Sequence, residues 1–122
     1  MDHQAISIRP FIGAKNFEES RRFYVDMGAK ETVLSPSMSV FKIGASAFYL
    51  QKAYVKDWID NSMIFLEVTN LEEHHTKMMQ LQLPEKYKGV RVSAIRYEAW
   101  GKEYFIHDPS GILWHIGSFT TS

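Results

Sequence analysis

The chain has 122 residues, 45% of them hydrophobic and 23% charged, which is enough for one packed domain and too few for two independent ones. Its 14 basic and 14 acidic side chains cancel, so no net field draws in nucleic acid, an anionic membrane or a cationic ligand. It has no cysteine, which excludes disulfides, thiolate metal centres and cysteine nucleophiles.

Met1 to Pro10 lacks the basic-then-apolar pattern of a signal peptide. No apolar run approaches the ~20 residues that span a bilayer. A cytoplasmic location is expected by elimination. Ala5 to Gly13 alternates and is rich in Ile and Phe, the pattern of a strand. Asn16-Phe17-Glu18-Glu19 then offers an N-cap with an acid three residues later. The helix it opens carries Phe23, Tyr24 and Met27 and stops at Gly28, a natural left-handed cap. Lys30 to Ser35, Met38 to Ile43 and Ala47 to Ala53 are expected as three short strands, broken at Ser35-Pro36-Ser37 and Gly44.

Residues 54–61 lack alternation and are expected as a linker. Ser62 to Val68 is again strand-like. Asn70-Leu71-Glu72-Glu73 repeats the cap-and-acid signature 54 positions after Asn16. Its helix runs through Met78 and Leu81, with Pro84 expected to end it. Val90 to Ala99, Lys102 to His107 and Ile112 to Ser118 supply three more strands, with Gly101 and Asp108-Pro109-Ser110-Gly111 as turns. The order strand, helix, three strands therefore occurs twice, in modules 1–53 and 62–122 of a single α+β domain. A half-sheet with one helix cannot cover both its faces, so the modules must pack on each other or on a partner chain.

Phe11 to Tyr24, Trp100-Gly101-Lys102-Glu103-Tyr104-Phe105, and Asp108-Pro109-Ser110-Gly111 running into Leu113-Trp114-His115 resemble the glyoxalase/bleomycin-resistance/dioxygenase (vicinal oxygen chelate) superfamily. Within it, the resemblance is to bleomycin-resistance-type proteins. It implies two βαβββ modules whose sheets curl into a cup, and a homodimer. It also marks the positions where metal-dependent members carry their ligands: here Arg9, Tyr49, Met63 and His115. Arg has no lone pair to give, Met is a soft donor suited to copper(I), and one His with one Tyr falls short of three protein ligands. The resemblance thus implies no metal and no other cofactor.

Five histidines are present. His3 lies near the terminus. His74 and His75 are adjacent on a helix, point about 100° apart and are read as a solvated face. The Asp108 to Gly111 turn leaves two registers open. A bulged three-residue hairpin, the preferred form, pairs Phe105 with His115 and His107 with Leu113, placing Glu103, Phe105, His107 and His115 on one face. A tight two-residue turn would set Tyr104 opposite His115 and flip that face.

If the four marked positions face inward, period two brings Phe11, Phe65, Phe105 and Glu103 with them. Trp100, beside a glycine at a loop, joins them as a groove-lining candidate. The ligand-binding set is then Arg9, Phe11, Tyr49, Met63, Phe65, Trp100, Glu103, Phe105 and His115, an aromatic pocket with a few polar anchors, suited to a planar or amphiphilic organic molecule. The function expected is metal-free small-molecule binding, without catalytic residues and without nucleic-acid or membrane partners. The alternative is a lyase- or isomerase-like enzyme using His115 and Glu103. A third reading is an interaction subunit whose own side chains fill the cup. Electrical neutrality departs from the acidic character of the bleomycin-resistance proteins, so the ligand is not carried over from them.

Overall fold

The computed structural model describes residues 1–120. The first module contains β1 (Phe11–Gly13), α1 (Phe17–Asp26), β2 (Lys30–Ser35), β3 (Met38–Ile43) and β4 (Ser46–Gln51). A short helix, α2 (Lys56–Asp60), follows. The second module contains β5 (Met63–Glu67), α3 (Leu71–Gln80), α4 (Leu83–Lys86), β6 (Arg91–Val92), β7 (Arg96–Glu98), β8 (Gly101–His107) and β9 (Leu113–Phe119). Each module makes its own mixed sheet. The first has order β1-β4-β3-β2, and the second β5-β9-β8-β6, with β7 also on β8. In each, the opening strand lies parallel to the closing one.

Both long helices begin as their sequences dictate. Asn16 accepts from the Glu19 N–H and Asn70 from the Glu73 N–H, each at 3.1 Å. One face of each helix is buried against its sheet, through Phe17, Phe23 and Tyr24 in α1 and Leu71 and Met78 in α3. These side chains join a single core with Phe41, Phe48, Leu50, Tyr104, Ile106, Trp114 and Ile116.

Four expectations are corrected. The strand expected from Ala5 is confined to Phe11–Gly13. Residues 1–10 are exposed, and Ile6 and Ile8 project almost wholly into solvent; alternation alone does not make a strand where no neighbour offers hydrogen-bond partners. The expected linker holds α2, because Ile59 is buried in the core while its neighbours are solvated. Pro84 does not stop α3. That helix ends at Leu81, Gln82 takes a left-handed turn (φ 53°), and Pro84 sits in the first turn of α4, where its missing N–H costs nothing. The strand expected over Val90 to Ala99 is split into β6 and β7 around Ser93, which turns its hydroxyl to accept the Phe105 N–H at 2.8 Å.

The modules are tied at one buried polar joint. The Asp108 carboxylate accepts the N–H groups of Ser110, Gly111 and Ile112, each at 2.9 Å, and the Tyr24 hydroxyl at 2.6 Å. The Trp114 indole N–H donates to the same Tyr24 oxygen at 3.0 Å. Burial pushes the Asp108 carboxyl and the Tyr24 phenol up from their ordinary ranges. The Trp114 ring lies 5.8 Å from Tyr24 and 5.3 Å from Phe48. Asp108, read as a turn residue, therefore also fastens helix α1 to the last hairpin.

Candidate functional site

The hairpin settles in the bulged register. Phe105 pairs with His115, His107 with Leu113, and Glu103 with Gly117, with Gly111 at φ 103° closing the turn. On the other side of β9, Phe65 pairs with His115 and Met63 with Leu113. Strand alternation then sorts the second sheet into two faces. Ile64, Trp114, Ile116, Tyr104 and Ile106 point to the helices and core. Met63, Phe65, Glu103, Phe105, His107 and His115 share the opposite, open face.

His115 stands at the centre of that face. Its Nδ1 lies 2.8 Å from Glu103 Oε1, and both side chains are largely covered. Phe105 meets the imidazole edge-on at 4.9 Å, and Phe65 lies nearly parallel to it at 6.5 Å. Trp100 is 6.2 Å from Phe65, and Phe119 touches both, at 5.6 Å from Phe65 and 5.4 Å from Trp100. The Arg96 guanidinium lies 5.9 Å from the centre of the Phe105 ring, a favourable cation–π placement. Gly117 makes room for Phe65, since a Cβ there would meet the ring at 2.7 Å.

The structure thus gathers Phe65, Trp100, Glu103, Phe105 and His115, with Met63 on the same face. Phe11 and Tyr49 form their own stack on the first sheet, 4.6 Å apart and 16° from parallel. Their strand pairing, Phe11 with Tyr49, repeats that of Phe65 with His115. Arg9 precedes β1 in the exposed arm. Phe119 went unnoticed in the sequence. The period-two series His115, Gly117, Phe119 points to it once the strand is extended by one residue.

The histidines of α3 are corrected: they are not a solvated face. Both are partly buried. The Tyr104 hydroxyl lies 2.6 Å from His74 Nδ1, and His75 Nε2 is 2.9 Å from the Ser93 carbonyl. Burial raises the Tyr104 phenol, so its hydroxyl stays protonated. Burial, with the charges of His75 and Lys77 nearby, lowers the His74 pKa.

The donors at the positions marked by the resemblance do not fit a divalent cation. Arg9 cannot coordinate, Met63 is a weak soft donor, and His115 with Tyr49 falls short of three protein ligands. Among the described residues no three His, Asp or Glu side chains converge.

No known family's sequence profile and no curated protein matches the chain. Solved structures do. The bleomycin-binding protein of bleomycin-producing Streptomyces verticillus, complexed with copper(II)-bleomycin, superposes with a TM-score of 0.79 at 17% identity, over 95% of this chain and 98% of its own. A glyoxalase/bleomycin resistance protein/dioxygenase from Alicyclobacillus acidocaldarius gives 0.68 at 15% identity, over 99% and 96%. A genomically encoded fosfomycin resistance protein from Listeria monocytogenes gives 0.71 at 14% identity, over 93% and 90%. The likeness extends over nearly the full length of each and is one of fold.

Proposed function

We propose, from the premise that this chain has the glyoxalase/bleomycin-resistance fold of the vicinal oxygen chelate superfamily, that it is a metal-free binding protein for an aromatic or amphiphilic organic molecule. The observation that carries this reading is the Glu103–His115 pair set among Phe65, Phe105 and Trp100. Flat rings supply stacking area for a planar ligand, and one polar pair orients it. With Nδ1 held by Glu103, His115 keeps Nε2 for a ligand. The small organic ligands in the bleomycin-bound neighbour support the same reading.

Two chains are proposed to pair, each covering the other's open sheet. Phe11, Met63, Phe65 and Phe119 are all left substantially exposed by a single chain, which is costly in water. Light scattering at micromolar concentration tests this, and a strict monomer would refute it.

Titration with planar aromatic compounds, followed by tryptophan fluorescence, tests the binding reading. A saturable change that is lost in Trp100→Phe is expected. A flat response across a diverse aromatic panel would sink it. The Glu103–His115 hydrogen bond also favours a second reading, an enzyme in which Glu103 orients His115 as general base. If turnover of any candidate substrate survives His115→Ala unchanged, that reading is wrong.

A further inference from the structure

Phe105 also borders a hollow whose lining does not include His115. This cavity measures about 660 Å³, within the range of about 300–1,000 Å³ that holds drug-sized molecules. Val90, Val92, Phe105 and Leu113 form its apolar walls, and Pro84 of α4 closes one end. Ser93, also in the lining, has its groups engaged: its carbonyl lies 2.9 Å from His75 Nε2, and its hydroxyl takes the Phe105 N–H.

Two polar side chains remain, Arg91 and His107, directly paired across β6 and β8. Arg91 has no acidic partner among the described residues, whereas Arg21 is held by Glu18 and Glu31 and Arg96 by Glu98. We propose that this cavity binds an apolar small molecule carrying an acidic headgroup, the apolar body lying against Val92, Phe105 and Leu113 and the anion pairing with Arg91. The inference rests on the reading of this sheet face as ligand-binding and adds to it a second pocket with a charge preference.

Size admits the body of such a ligand, and electrostatics select its head. A guanidinium offers two parallel donors to a carboxylate, sulfonate or phosphate. A cationic group would be repelled by Arg91 at the rim of an apolar hollow. His107 supports this. Burial, and then the charge of Arg91, lower its pKa, and an anion placed beside the pair would push it back up. Arg91 is the charged group facing it. Across β9 its neighbour is Leu113, and Asp108, next in the chain, is turned inward to Tyr24.

Two dyes with the same body test the proposal: 8-anilinonaphthalene-1-sulfonate and the uncharged N-phenyl-1-naphthylamine. Wild-type protein is expected to bind the sulfonate at least tenfold more tightly. Arg91→Gln removes that preference and leaves the neutral dye's affinity unchanged. Carbon-13 NMR should show both dyes shifting the Val90, Val92 and Leu113 methyls, and the sulfonate should move the His107 titration to higher pH. Equal affinities in the wild type, no loss in Arg91→Gln, or an unmoved His107 would overturn the proposal. Shifts at Met63 and Trp100 without any at Val92 would overturn it and leave the binding-protein reading standing. Shifts at neither place would count against both.

Discussion

The two modules are built on one plan and end as different surfaces. Each opens with a strand lying parallel to its last strand, and each helix is capped by an asparagine. At equivalent points Phe11 stacks on Tyr49 and Phe65 on His115. The first sheet presents a bare aromatic pair there. The second surrounds the same point with Glu103, Phe105, Trp100 and Phe119 and adds the Arg91–His107 hollow beyond it. The difference teaches that duplication preserves what packing requires, namely caps, pairing and core faces, while the open face of one copy is free to acquire polar chemistry.

The sharpest way to break the comparison is to cut the joint between the halves. Asp108→Ala takes the acceptor from the buried Ile112 N–H and Tyr24 hydroxyl and from the part-buried Ser110 N–H, while the Gly111 N–H keeps the residue-108 carbonyl. At about 1–3 kcal/mol for each unsatisfied group, partly relieved by water, a loss of roughly 3 kcal/mol or more is expected in urea unfolding. A loss under 1 kcal/mol would show that the modules cohere without the Asp108 joint. Gly117→Ala comes next. Its methyl collides with the Phe65 ring, and overpacking of this kind costs about 1–3 kcal/mol. The variant should also weaken aromatic ligand binding, because the wall beside His115 is displaced; unchanged stability and binding would place Phe65 elsewhere in solution.

Asn16→Ala and Asn70→Ala probe the part of the plan that is shared. Each should cost about 1 kcal/mol, the usual worth of an N-cap, and the two values should agree within error. A large inequality would mean that only one of the two caps forms in solution. The smallest effect concerns pH. The His74 pKa is lowered from its ordinary 6.5 in the folded chain, so the unfolded chain binds the proton more readily. Stability is therefore full above about pH 6.5 and is lost progressively as pH falls below it. His74→Gln should flatten the fall in melting temperature between pH 7 and 5, and a curve parallel to wild type would exclude the buried His74 as its source. The first module has no histidine in its helix, so no matching variant exists there.

Much of this architecture was legible in local sequence. Asn-x-x-Glu marks both helix starts because capping is decided within one turn. The glycine of the Asp108 to Gly111 turn pointed to the bulged register because a left-handed residue there leaves few alternatives, and that register put Glu103, Phe105, His107 and His115 together. What was missed depended on distant partners. The arm through Ile8 alternates like a strand yet finds no ladder beyond Pro10, whose carbonyl accepts from Tyr49. His74 and His75 resemble surface residues until Tyr104 and Ser93 are brought to them.

By itself, then, the sequence determined the two-module order, the caps, the turns and which strand positions share a face, since all of these follow from backbone geometry over a few residues. Only the tertiary structure decided that His74 and His75 meet Tyr104 and Ser93, that Asp108 reaches across to Tyr24, and that Arg91 and His107 share a hollow with Phe105. Those are distances between segments far apart in the chain. They are fixed by how two sheets and their helices fill a common core, which local propensity does not encode.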